Sequence, residues 1–98
     1  MIQSDLIKLF VDGDIGYKPH IKACSMSAEI CMESIKLYSY ELLIAEHNLI
    51  TNEIIIYASC FHSTPSTWSH YVKLRDYMYY HTEQSYIVKG HYSDYNTI

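Results

Sequence analysis

The chain is 98 residues long, 49% hydrophobic and 18% charged, with a formal net charge of −4. This length predicts one domain over residues 1–98, and the composition is typical of a chain that folds. A protein that binds nucleic acid through the phosphates carries a basic stripe, which 7 Lys and Arg against 11 Asp and Glu do not supply. Nucleic acid is therefore not the partner that we expect first.

The first predicted element is a short amphipathic helix in the stretch SDLIKLFVDG. Ser4 or Asp5 is expected to cap its N-terminus, and Gly13 stands where a C-terminal cap belongs. Helical spacing places four apolar side chains on one face of this helix: Leu6, Ile7, Phe10 and Val11.

Beyond the loop that follows, the hydrophobic period changes to two, which predicts β-strands. We expect one strand over 21–33, a second over 35–48 and a third over 53–61, with a turn at NLITN (48–52). Short connections favour antiparallel pairing. Near the C-terminus, residues 86–89 can add a short strand, and residues 90–98 are expected to form a mobile tail.

A closing helix is predicted after Thr64, its N-cap, with Pro65 at the first helical position and Ser66 as an alternative cap. Trp68 is expected in the core, so that its loss would unfold or badly weaken the domain. The predicted inner side carries Trp68, Tyr71, Val72, Leu74 and Met78, with Arg75 near its edge, and the outer side carries His70, Lys73, Asp76, Tyr77, Tyr80 and His81. The predicted fold class is α+β: an N-terminal helix, a three- to four-stranded antiparallel sheet, and a C-terminal helix packed on one face.

Localisation follows from the N-terminal sequence and the cysteines. The start MIQSDLIKLFVDGD lacks the basic region of a secretory signal, and no apolar run is long enough to span a membrane. Three cysteines are an odd number for a disulfide framework. We expect a cytosolic protein with reduced thiols and no membrane contact.

Metal and enzyme signatures are weak. The run Asp12–Asp14 begins like a calcium loop but lacks its later ligands, and Cys24 and Cys31, seven apart on one predicted strand, point to opposite faces. Cys60 and His62 keep a zinc-stapled module open as an alternative. Proximity in sequence to His62 does not make Cys60 a nucleophile. We therefore predict no catalytic residue, no metal site, no cofactor and no enzymatic activity.

A contact surface is the remaining functional candidate. His70, Tyr77 and His81 are separated by helical spacings that place them in one exposed stripe, and tyrosine is common in interface hot spots. The alternative is a solvated face in a tyrosine-rich protein. The predicted partner-binding residues are His70, Lys73, Tyr77, Tyr80, His81, Glu41, Asp12 and Asp14.

Two segments, LYSYELLIAEHN (37–48) and NEIIIYASCFHSTPSTWSHYVKL (52–74), together resemble a small domain of unknown function that is common in phage-encoded proteins. The resemblance implies an α+β architecture and a phage setting, and it brings no catalytic residues. It is carried by a Tyr-Ser-Tyr strand with an Ile-Ala pair, and by a Ser/Thr-rich turn with a downstream His: Tyr38, Ser39, Tyr40, Ile44 and Ala45, then Ser63, Ser66, Thr67 and His70.

In a phage setting, a small acidic domain without catalytic signatures is similar in size and charge to anti-CRISPR proteins. We accordingly expect stoichiometric binding to a host protein in the host cytosol, as an inhibitor of a defence system such as CRISPR-Cas or of a replication component. A nucleic-acid-binding accessory factor is the alternative. Exposed strand edges also leave a homodimer open.

Overall fold

The structure, a computed structural model, describes residues 1–14, 20–57, 64–81 and 86–89, with the backbone alone for 81 and 86–89. Five strands form an antiparallel meander, and a sixth pairs in parallel with the fifth, in the order β1-β2-β3-β4-β5-β6. The elements are α1 (Gln3–Asp12), β1 (His20–Ala23), β2 (Met26–Cys31), β3 (Ser34–Ser39), β4 (Leu42–Asn48), β5 (Glu53–Tyr57), α2 (Pro65–His81) and β6 (Tyr86–Lys89). The α+β prediction is confirmed, and the expected three to four strands are corrected to six within the described residues.

The strand count differs because two predicted strands are hairpins. The segment 21–33 turns back at Cys24, and the segment 35–48 turns back at Tyr40. Two-residue hairpin turns usually announce themselves by Gly, Asn or Asp, and these do not. Instead Cys24, Met32 and Tyr40 adopt φ of 56°, 58° and 58°. The predicted turn between β4 and β5 is confirmed, with the Asn48 carboxamide oxygen accepting from the Ile50 N–H at 2.9 Å.

Helix α1 packs its four predicted apolar residues into the core, as expected. Its predicted N-cap is wrong, because Ile2 occupies the cap position and no side chain caps the helix. Its C-terminus is as predicted: Gly13 has φ of 73°, its N–H donates to the Phe10 carbonyl at 3.2 Å, and the Asp14 N–H donates to the Leu9 carbonyl at 3.0 Å. These bonds satisfy carbonyls that the ended helix would leave unpaired.

A buried histidine joins the end of α1 to the sheet. The Nδ1–H of His47, on β4, donates to the Phe10 carbonyl at 2.8 Å, and its ring meets that of Phe10 edge-on at 6.1 Å. A Cβ on Gly13 would lie 3.3 Å from His47 Cε1. Close approach and positive φ therefore both favour glycine at this position.

Helix α2 begins as predicted but is rotated about its axis. Thr64 Oγ1 accepts from the Thr67 N–H at 3.3 Å, which confirms the cap. Tyr71, Leu74 and Met78 are buried as expected, whereas Trp68 is 44% exposed and His70 only 4% exposed. The predictions that Trp68 is core and that His70 is exposed are therefore wrong. The expectation that losing Trp68 unfolds the domain loses its basis.

The core is a single cluster between one face of the sheet and the two helices. Among the described residues, no helix is long and apolar enough to cross a membrane. The buried apolar residues are Leu6, Ile7, Phe10, Val11, Ile21, Ala23, Met26, Ala28, Ile35, Leu37, Ile44, Ala45, Ile54, Ile56, Tyr71, Leu74 and Met78.

Candidate functional site

An open groove of about 720 Å³ lies between the first turns of α1, the β1–β2 turn and the C-terminal half of α2. We call it the α1–α2 groove. Exposed Ile2 and Tyr80 stand at its sides, being 64% and 72% accessible. Its lining is Met1, Ile2, Gln3, Ser4, Ile7, Cys24, Lys73, Asp76, Tyr77 and Tyr80. Aromatic and aliphatic walls with a few polar groups are typical of a binding site.

The two helices are linked across this groove by a side-chain hydrogen bond. Lys73 Nζ donates to Gln3 Oε1 at 2.6 Å. The Lys73 ammonium has only donors, so this contact fixes the Gln3 amide with its oxygen toward Lys73 and its nitrogen toward the sheet. Gln3 is thereby placed between the groove and the polar side chains beneath it.

Three of the predicted partner-binding residues, Lys73, Tyr77 and Tyr80, meet in this groove. Burial raises the pKa of the Tyr77 hydroxyl, and the negative charge of Asp12 raises it further, so these two predicted residues are also neighbours. The groove lining therefore includes some, but not all, of the predicted partner-binding residues.

The other predicted residues do not join this surface. Asp14 follows Gly13 at the end of the sheet near His47, whereas Glu41 lies in the β3–β4 turn at the opposite end. Both are exposed. The side chain of His81 lies outside the described residues. His70 is buried, so the predicted stripe of His70, Tyr77 and His81 does not exist as an exposed surface.

His70 instead sits in a polar cluster beneath the groove. Its Nδ1 lies 2.6 Å from Ser39 Oγ, and its Nε2 lies 3.1 Å from Ser25 Oγ. Ser39 Oγ continues to Thr67 Oγ1 at 2.9 Å, and Gln3 Nε2 lies 3.3 Å from Ser25 Oγ. We call Gln3, Ser25, Ser39, Thr67 and His70 the His70 cluster.

The donors in this cluster can be assigned from its chemistry. Gln3 Nε2 is an amide nitrogen and can only donate hydrogen bonds. It lies 3.4 Å from His70 Nε2 and also close to Ser25 Oγ. A hydrogen on His70 Nε2 would point at the hydrogens of Gln3 Nε2. We therefore assign Nε2 as the ring nitrogen that accepts, and Nδ1 as the ring nitrogen that carries the proton. The Ser25 hydroxyl then donates to His70 Nε2, and His70 Nδ1–H donates to Ser39 Oγ.

The surroundings of His70 favour its neutral form. Burial lowers the pKa of the imidazole below its ordinary value, and the positive charge of Lys73 lowers it further. The Tyr40 ring lies 5.9 Å from the imidazole, centroid to centroid, and the Tyr40 N–H donates to the Ser25 carbonyl at 2.7 Å. The fixed backbone therefore keeps the Ser25 hydroxyl next to the neutral imidazole of His70, which can act as a base.

The sheet face away from the helices also carries tyrosines, but their hydroxyls already form hydrogen bonds within the protein. Tyr38 donates to Glu29 Oε1 at 3.1 Å, and Tyr57 donates to Glu46 Oε2 at 3.0 Å. Burial and the neighbouring carboxylates raise the pKa of both hydroxyls. Ser34 adds a further bond to Glu46 at 2.9 Å. These polar groups satisfy one another, which makes this face a weaker candidate than the α1–α2 groove.

Of the three cysteines considered as metal ligands, two lie within the described residues. Within the described ranges, no three His, Cys, Asp or Glu side chains converge as metal ligands. Cys24 and Cys31 are both free thiols, at the β1–β2 turn and the end of β2. Cys60 and His62, on which the zinc alternative depends, lie outside the described residues.

Sequence reasoning missed the His70 cluster although three of its members belong to the resembling motif. The resemblance implies no physical role for Ser39, Thr67 and His70, and no sequence pattern distinguishes Ser25 or Gln3. The signal that could have found them is a short helical spacing, because Thr67 and His70 are one turn apart on α2. Their partners are distant in sequence, so no local pattern reveals them.

Comparisons with protein-family models, with curated proteins and with solved structures gave no match to this chain.

Proposed function

We propose that this protein acts by stoichiometric binding to a host protein, as an inhibitor of a host defence system such as CRISPR-Cas, with the α1–α2 groove as its contact surface. The phage setting, the cytosolic location and the host target rest on the sequence alone. The binding mode is supported by one observation: Lys73, Tyr77 and Tyr80 line a single open groove with exposed aliphatic residues of α1.

The groove has the makeup of an interface centre. Tyrosine side chains supply large apolar contact area and a polar tip, and such residues carry much of the binding energy in protein complexes. Lys73 and Asp76 add one charge of each sign at the same place, which can set the orientation of a partner segment. Tyr80, 72% exposed, is the side chain that a partner would bury most.

The test compares two adjacent tyrosines of α2 that are similarly exposed. Tyr80 lines the groove and Tyr79, 78% exposed, does not, although the two rings contact each other at 4.8 Å. Partners captured from host extract by the tagged protein would be identified by mass spectrometry, purified, and titrated against wild type, Tyr80→Ala and Tyr79→Ala. Loss of a hot-spot tyrosine costs about 2 kcal/mol, or about 30-fold in Kd.

We expect that weakening for Tyr80→Ala and less than a threefold change for Tyr79→Ala, with both variants unfolding at the wild-type temperature. The proposal for the groove is wrong if Tyr80→Ala binds the purified partner as tightly as wild type. The proposal of a protein partner is wrong if wild type captures nothing specific.

A further inference from the structure

The surroundings of Ser25 are those of an activated hydroxyl. Its Oγ lies 3.1 Å from His70 Nε2, and the opposite ring nitrogen lies 2.6 Å from Ser39 Oγ. Ser39 is fully buried, whereas Ser25 is half-buried and reaches the surface in the β1–β2 turn. A nucleophile on a base, with a third group that orients the base, is the arrangement by which serine hydroxyls become reactive.

The α1–α2 groove lies beside this hydroxyl. Cys24, the residue before Ser25, lines the groove, and so does Gln3, whose Nε2 lies 3.3 Å from Ser25 Oγ. A side-chain amide held at that distance can donate to an oxyanion that forms next to the nucleophile. Lys73, bonded to Gln3 Oε1, holds this amide in place. The apolar wall formed by Ile2, Ile7 and Tyr80 suits an acyl chain better than a charged group.

We propose that Ser25 is the nucleophile of an acyl-transfer site that takes the acyl group of an apolar carboxylic ester bound in the α1–α2 groove. Ser25 Oγ attacks the carbonyl carbon while His70 Nε2 takes the hydroxyl proton, and Gln3 Nε2 donates to the oxyanion. The bond to the leaving oxygen then breaks, and the proton on His70 passes to that oxygen to give the free alcohol. Water attacks the acyl-serine by the reverse proton path and releases the carboxylic acid.

The protonation state of His70 is right for this role. A general base must be neutral at the working pH, and burial together with Lys73 lowers the pKa of His70. Lys73 is the charged neighbour on α2, while α1, the β1–β2 turn and β3 face the ring with the uncharged side chains of Gln3, Ser25 and Ser39. The site therefore pairs a serine with a neutral histidine. The group that orients the histidine is the uncharged hydroxyl of Ser39, in the place where many serine enzymes have a carboxylate.

The experiment uses a fluorophosphonate, which phosphonylates activated serines with loss of fluoride, on the full chain without any partner protein. Intact mass gives the number of adducts, and peptide mapping gives their position. Ser25→Ala is compared with Ser66→Ala, because Ser66 is exposed at the start of α2 and belongs neither to the groove lining nor to the His70 cluster. Release of p-nitrophenol from the acetate and butyrate esters of p-nitrophenol is measured on the same samples.

We expect a single adduct at Ser25 in wild type and Ser66→Ala, none in Ser25→Ala, and faster release from the longer ester. His70→Gln is expected to slow labelling by about a hundredfold, the usual loss when a general base is removed. Wild type that stays unlabelled beside a labelled serine protease would overturn the proposal, as would an adduct at another residue. Because no partner is present, this result is independent of the binding function proposed above, and it also tests the sequence-based prediction of no enzymatic activity.

Discussion

Three side chains at the hairpin tips adopt positive φ although none is Gly, Asn or Asp. Cys24, Met32 and Tyr40 each occupy the first position of a two-residue turn, at φ of 56°, 58° and 58°. The left-handed region costs an ordinary L-residue about 1–2 kcal/mol, because its Cβ crowds the following carbonyl. Packing of β2 and β3 into the core requires these tight turns. The stabilisation gained from the correct strand register outweighs the backbone strain at the turns.

Met32 offers a direct measurement of that strain, because its side chain is 95% exposed and contributes little packing. We expect Met32→Gly to raise the free energy of unfolding by about 0.5–1 kcal/mol, since relief of positive φ outweighs the added chain entropy of glycine. Urea denaturation would measure the change.

Glu33→Gly is the matched control, because Glu33 is the other residue of the same turn and its φ is not positive. Glycine there adds chain entropy without relieving strain, so a loss of about 0.5–1 kcal/mol is expected. If Met32→Gly is no more stable than Glu33→Gly, the turn does not store the strain inferred for it.

At the scale of elements, the rotation of α2 decides which side chains serve the core. The buried stripe runs through Thr67, His70, Tyr71, Leu74 and Met78, so two polar residues lie under the helix and Trp68 lies at its side. Ser39 and Ser25 satisfy the hydrogen bonds of Thr67 and His70, which removes the cost of burying them. Trp68 instead contacts the Tyr71 ring at a tilted angle of 43°, with ring centroids 5.0 Å apart.

Periodicity could predict the two helices and the presence of the sheet, since Leu6, Phe10 and Leu74 fall where helical spacing places them. It could not predict the rotation of α2, because a hydrophobicity argument ranks Trp68 above His70, and the hydroxyls that form hydrogen bonds with His70 lie 31 and 45 residues away. Nor could it divide β1 from β2 or β3 from β4, since Cys24 and Tyr40 are not turn formers. The groove residues Lys73, Tyr77 and Tyr80 were found because they follow one face of α2.

The orientation of α2 predicts an order of stabilities. Leu74 is fully buried, so Leu74→Ala is expected to lower the free energy of unfolding by about 2–5 kcal/mol. Trp68 is 44% exposed, so Trp68→Ala is expected to cost about 1 kcal/mol, the typical loss for a point mutation. Both substitutions leave alanine in the helix, which keeps helix propensity favourable. Thermal or urea unfolding of the two variants would show the order, and a larger loss for Trp68→Ala would contradict this orientation.

At the scale of the whole molecule, the His70 cluster joins elements that are far apart in the chain. Gln3 belongs to α1, Ser25 to the β1–β2 turn, Ser39 to β3, and Thr67 and His70 to α2. A buried network of this kind stabilises the fold only when every member is satisfied, because an unpaired buried group loses its hydration without replacement. In the part of the chain that the structure describes, no buried side-chain polar atom lacks a partner. The hydrogen bonds by which this cluster links both helices to the sheet therefore require the neutral imidazole.

This dependence predicts how stability changes with pH. The pKa of His70 in the folded protein is lowered by burial and by Lys73, while in the unfolded chain it takes the ordinary value of about 6.5. Between the lowered folded pKa and about pH 6.5 the unfolded chain binds a proton that the folded protein does not. Stability is therefore greatest above about pH 6.5, falls as the pH decreases towards the folded pKa, and levels off below it. One such proton contributes a slope of up to about 1.4 kcal/mol per pH unit.

The measurement is urea unfolding at pH values from 7.5 to 5 for wild type and His70→Gln. Glutamine does not titrate, so the slope just below pH 6.5 should be smaller in His70→Gln than in wild type, by up to about 1.4 kcal/mol per pH unit. Equal slopes in wild type and His70→Gln would mean that the cluster accepts a charged imidazole, which would also remove the neutral base from the acyl-transfer site.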